Sequence, residues 1–75
     1  RQPLALLESR GLEALNRAIA AGQVSRADGT PQREPLREAL VTRDRRHVYR
    51  IEDGIPVLLV EEALATAQVA DFPPA

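Results

Sequence analysis

The period of the apolar positions changes along the chain, and each change marks an element. Residues 3–9, PLALLES, open with a short apolar run. Its length suits a strand, and Pro3 fits a strand's first position. In GLEALNRAIAAG (11–22) the spacing turns helical. Leu12, Leu15 and Ile19 fall at i, i+3 and i+7 with Ala18 beside them, while Glu13, Asn16 and Arg17 face away. Ser9 is the expected N-cap and Gly22 the residue just past the helix end. Turn chemistry then takes over: Asp28-Gly29, Thr30-Pro31 and Pro35 make 23–35 a loop, whose length marks it as functional or mobile.

Beyond Leu36 the pattern is that of strands. LREALVTRD (36–44) carries the apolar pair Leu40-Val41, and RDRR (43–46) reads as a hairpin turn without the usual Asn-Gly or Asp-Gly. HVYRIED (47–53) alternates strictly, with Val48, Arg50 and Glu52 on one side and Tyr49 and Ile51 on the other. Asp53-Gly54 turns tightly into the apolar strand IPVLLV (55–60). Glu61 and Glu62 are placed as first-turn acids of a helix over 61–70, where they would complement its dipole, and 71–75 (DFPPA) is a non-helical tail. The order β–α–loop–β–β–β–α predicts an α+β fold. It is a small antiparallel β-meander of three to four strands with two helices, in a single domain spanning 1–75.

Composition limits what such a domain can be. A chain of 75 residues buries only about 60–65% of its unfolded surface. With no cysteine, disulfides and thiolate metal sites are excluded. Aromatics are 3% and Trp and Met are absent, so the core is built from Leu, Ile, Val and Ala and is thin. A partner that completes it would offset this. All ten basic residues are Arg, as a GC-rich coding sequence favours, and they face eleven acids for a net charge of −1. Arg43, Arg45, Arg46 and Arg50 form the one local basic cluster, expected as a solvated hairpin tip. Near-zero net charge and the lack of stacking aromatics beyond Tyr49 argue against direct nucleic-acid binding. No apolar run approaches the roughly 20 residues that span a bilayer. No signal peptide is read, although the start at Arg1 leaves the front open, and the cytoplasm is the expected location.

Catalytic constellations are missing. Ser9 and Ser25 could draw only on His47 as a base, and neither sits in a nucleophile elbow. Gly11, Gly22, Gly29 and Gly54 are scattered and make no phosphate loop. Glu61 and Glu62 would diverge by about 100° on a helix, so a capping or surface role is expected of them. The chain is expected not to be an enzyme, and no cofactor or metal is expected. The salient feature is instead Pro56, second in the most hydrophobic strand. Proline cannot donate to a ladder, so Pro56 marks an edge or an N–H side that needs no partner.

In VTRDRRHVYRIEDGIPVLLVEEA (41–63), a strand, a short turn, a hydrophobic-Tyr-x-Ile strand and then Asp-Gly-Ile-Pro-x-Leu-Leu before acids resembles the Trm-one-twelve-like family. These are small zinc-ribbon-like proteins. They include the activator subunit of tRNA, rRNA and release-factor methyltransferases, PREY-like proteins and short bacterial members. The match spans 40–63, and QPLALL (2–7) looks like the family's first strand. Two departures matter: the zinc-binding cysteines of several members are absent, and 8–35 is a helical insertion and loop like that of eukaryotic activators. The resemblance implies a zinc-free member, zinc-ribbon-like without zinc. It implies a protein-binding adaptor that stabilises or activates a methyltransferase of the translation machinery, shielding an apolar face and pairing a strand edge. The expected partner surface is Ile55, Pro56, Val57, Leu58 and Leu59, supported by Leu40, Tyr49 and Ile51, with Asp53 and Gly54 as the turn that aims them. Alternate members of the strand, Ile55, Val57 and Leu59, would otherwise be core. The alternative reading is a structural homo-oligomer, a dimer that buries its own apolar strand surface.

Overall fold

A computed structural model describes residues 3–74; Arg1, Gln2 and Ala75, and with them the ends of the expected first strand and tail, lie outside the described residues. Its helix α1 spans Ser9–Ala20 and turns Gly11, Ala14, Leu15, Ala18 and Ile19 inward. The apolar spacing thus does what it predicts, but the helix begins earlier than the run 11–22 suggests. Ser9 lies inside the first turn, and Glu8 holds the N-cap position without a side-chain capping bond. At the other end Gly22 takes a left-handed φ of 75°. Its N–H donates to the Ile19 carbonyl and that of Gln23 to the Ala18 carbonyl, at 3.0 Å each. This is the paired closure for which glycine is favoured one residue beyond a helix end.

Among the described residues five antiparallel strands make the sheet: β1 Leu4–Leu6, β2 Glu38–Thr42, β3 His47–Glu52, β4 Ile55–Pro56 and β5 Leu64–Ala65. Their order is β1-β2-β3-β4, and β5 also pairs with β3. Register places β4 on the C-terminal end of β3 and β5 on its N-terminal end. Arg45 with φ 58° closes the β2–β3 turn. Asp53 (φ 52°) and Gly54 (φ 77°) close the β3–β4 turn. Two positive φ values in a two-residue loop are the geometry whose twist matches antiparallel strands.

The α+β class holds, but the second helix does not form. Residues 61–70 make a 3-10 turn over Val60–Glu62, the short strand β5 and a 3-10 turn over Thr66–Gln68. The reason lies in where the backbone groups go. The Ala27 N–H donates to the Ala63 carbonyl, Asp28 N–H to Glu61, and Thr66 N–H to Arg46. With β5 also paired to β3, the groups of this segment serve long-range partners, and tertiary pairing overrides local helix propensity. The same bonds fix the 23–35 loop. Gln68 accepts from the Ser25 N–H and hydroxyl and donates to the Ser25 carbonyl. Asn16 clasps the Leu36 backbone through both its amide atoms. Val24 is thereby driven into the core.

The core sits between α1 and the inner sheet face, where Leu15, Val48 and Leu64 are fully buried and Leu7, Ile19, Ala39, Val41 and Val69 surround them. Full burial of such side chains is worth about 1.5–3 kcal/mol each.

Candidate protein interface

Directly opposed residues of an antiparallel pair share a face. Leu6 opposes Leu40, which opposes Tyr49; Glu38 opposes Ile51, which opposes Pro56; and Leu4 opposes Thr42. Leu4, Leu6, Leu40, Tyr49, Ile51 and Pro56 therefore lie on one face, opposite the one that buries Ala39, Val41 and Val48. The helix covers the inner face, and Leu4, Leu6 and Pro56 are exposed while Leu40, Tyr49 and Ile51 are half-buried. This outer face is an apolar stripe that crosses four strands, β1 to β4.

The run expected as strand 55–60 divides here. Only Ile55 and Pro56 pair with β3. The Val57 N–H still reaches the Arg50 carbonyl at 2.9 Å, after which the chain leaves the ladder. Leu58, Leu59 and Val60 are 54%, 48% and 73% exposed. Leu59 keeps extended dihedrals (φ −96°, ψ 123°). Among the described residues, no hydrogen bond satisfies the N–H of Leu58 or Leu59. Neither parity of this run is core: Ile55 is exposed and Val57 half-buried. Asp53 and Gly54 are exposed at the turn. Eight of the ten expected residues thus fall into two adjoining surfaces, the outer face (Leu40, Tyr49, Ile51, Pro56) and a ribbon leading from Ile55 through Leu59, with Asp53 and Gly54 at the turn between them. Leu4, Leu6 and Val60 extend them, and in β1 the apolar run itself was the signal for the first two.

The basic cluster divides, with Arg43 and Arg46 exposed at the tip and Arg45 and Arg50 drawn into ion pairs. Arg50 lies on the inner face, its side chain only 10% exposed, with Nε 2.9 Å from Glu52 and Nη2 2.5 Å from Glu62. Glu62 Oε1 also lies 3.8 Å from Arg26. It is held by charge rather than by an aligned hydrogen bond, and Arg50 Nη1 is buried without a hydrogen-bond partner among the described residues. The expected surface pair is split too: Glu61 is exposed, while Glu62 turns toward the arginines. Arg45 forks onto Glu8 at 3.2 and 2.8 Å, donates to the Pro73 carbonyl and stands 5.0 Å above the Phe72 ring. The fork holds the Glu8 carboxyl below its ordinary pKa. Only Arg43 and Arg46 of the four arginines remain exposed. Among the described residues no cluster of acids and histidine could hold a metal ion, and no helix is long and apolar enough to cross a membrane.

A helix laid on one face of a small antiparallel sheet, with the other face only partly covered among the described residues, defines an α+β fold with a partly open apolar surface. No family model matches the chain, and no curated protein does. Among solved structures it is similar to XF2673 from Xylella fastidiosa, a structural-genomics target determined by solution NMR, at 67% identity and a TM-score of 0.94. The match covers 100% of this chain and 77% of that one. The chain belongs to the family of that Xylella protein.

Proposed function

We propose that the chain is a non-catalytic protein-binding adaptor that docks a folded partner along Ile55–Val60. The observation that carries this reading is the run 58–60: apolar and exposed, extended at Leu59, and with the N–H groups of Leu58 and Leu59 unpaired among the described residues. A partner's edge strand can satisfy those groups while its pockets take Leu58 and Val60. Pro56 supports the arrangement, since it withholds one donor beside the turn, and past the Val57 N–H bond to Arg50 the chain leaves the ladder. The resemblance to zinc-ribbon-like activator subunits supplies the partner class, a methyltransferase of the translation machinery met in the cytoplasm. Commitment of Arg45 and Arg50 to internal ion pairs speaks against nucleic acid as a direct partner. Capture of a tagged copy from its native cell tests the reading. A methyltransferase recovered in stoichiometric amount, and lost with Leu58→Asp/Leu59→Asp, is expected. Recovery of no methyltransferase by the wild-type chain overturns it.

A further inference from the structure

We propose that the outer sheet face is the contact between two copies of this chain, stacked so that the basic hairpin tip of each lies over the acidic end of the other. The argument begins with the register. Along the β2–β3 hairpin the outer face runs from Thr42 near the tip, through Leu40 and Tyr49, to Glu38 and Ile51. The two ends differ in charge. Arg43 and Arg46 are exposed at the tip, beside His47, and form no ion pair among the described residues, so the tip stays net positive even with the charge of Asp44 between them. At the other end an open cleft is lined by Glu34, Glu38, Glu52 and Asp53 together with Arg37. Glu52 is engaged by Arg50 and Arg37 offsets one charge, which leaves that end net negative.

A stripe that is apolar in the middle and oppositely charged at its ends is complementary to itself in one orientation. Two identical faces packed together have their two-fold axis in the plane of contact. An axis along the strands puts tip over tip and arginine against arginine. An axis across the strands puts Arg43 and Arg46 of each copy over Glu34 and Glu38 of the other. The charges therefore choose the second arrangement, while the apolar stripe supplies the attraction. Four strands about 4.8 Å apart, the longest of them roughly 20 Å, present on the order of 300 Å², below the ~800 Å² per partner of a standard interface. The pair is a weak, concentration-dependent dimer. This inference uses the outer face and not the 58–60 ribbon, so it stands or falls apart from the adaptor reading.

Sedimentation equilibrium of the 75-residue chain at low salt tests it, up to about 1 mM, where Kd values to the millimolar range register. Two variants reverse the charges at one end each: Arg43→Glu/Arg46→Glu and Glu34→Arg/Glu38→Arg. All four side chains are exposed, so both variants are expected to fold. Wild type should dimerise, each variant alone should associate at least about tenfold more weakly, and an equal mixture should recover wild-type association, since both ends of the mixed pair are again complementary. A wild type monomeric at 1 mM overturns the proposal, as does a mixture no tighter than its components.

Discussion

Arg50 carries a full charge to the inner side of the sheet, because the alternation of β3 gives it the same facing as Val48. Desolvation of the guanidinium is the largest single influence on it and works against the charge, but its hydrogen bond to Glu52 and its close pairing with the Glu52 and Glu62 carboxylates outweigh it and leave its pKa raised. The residue therefore stays charged, and its removal exposes the weakness of the arrangement. Arg50→Met would leave Glu62, 22% exposed, with only the more distant Arg26. A partly buried anion stripped of its cation is expected to cost about 3 kcal/mol, at the low end of values for fully buried pairs. Arg50→Met/Glu62→Leu removes the orphan as well and should recover most of that loss. Urea denaturation of the two variants measures both steps. A double variant no more stable than Arg50→Met would show that packing, not the orphaned charge, sets the cost.

At the scale of elements the loop 23–35 and the segment 61–70 hold each other, and Gln68 is the hinge of that mutual grip. Its amide makes four hydrogen bonds, three of them to Ser25 and one to the Ala65 carbonyl. Gln68→Ala is expected to cost about 1–3 kcal/mol, the penalty for leaving partly buried polar groups unpaired. The loss should also be local. Amide exchange at Ala27 and Asp28, which bond to Ala63 and Glu61, should speed up more than exchange at Val48 in the central ladder. Equal acceleration at all three amides would mean that the loop opens only when the whole domain does. This pairing also explains what the sequence could and could not tell. The helix over 9–20, the β2–β3–β4 hairpins and the Asp53-Gly54 turn were legible, because each rests on contacts a few residues apart: helical spacing, alternation and turn chemistry. The helix expected over 61–70 fails, since its backbone is claimed by Ala27, Asp28 and β3, partners that local pattern does not encode. Of the candidate surface, Tyr49 and Ile51 were assigned a common face by alternation. That they lie on the outer face depends on which side α1 covers, a fact settled only by packing. Alternation likewise set Arg50 beside Val48, the one local hint that it leaves the basic cluster.

For the whole molecule, two ion pairs near the surface link elements that are distant in sequence. Glu8–Arg45 joins the start of α1 to the β2–β3 turn, Arg45 holds Phe72 and Pro73, and Arg17–Asp71 joins α1 to the tail at 2.7 Å. Both carboxylates are shifted the same way. Hydrogen bonding from Arg45 lowers the Glu8 pKa from 4.5, and hydrogen bonding from Arg17 lowers that of Asp71 from 3.8. A carboxyl whose folded pKa lies below its unfolded value binds fewer protons folded than unfolded, so folding is favoured while both states are ionised. That contribution is fully present above the unfolded values of 4.5 and 3.8. It is lost as pH falls below them and through the folded ones. Each contribution is small, because these groups are solvated and screened by salt. The expected outcome is a stability, read as the urea midpoint at low salt, that these pairs leave level from pH 7 to about 5 and lower below pH 4.5. Glu8→Gln/Asp71→Asn should begin from a lower plateau at pH 7 and fall less steeply in acid, so that the two curves converge toward pH 3. Parallel curves across that range would show that carboxylates elsewhere in the chain set the acid limb, and coincident curves that these two ties contribute nothing to holding helix, hairpin and tail together.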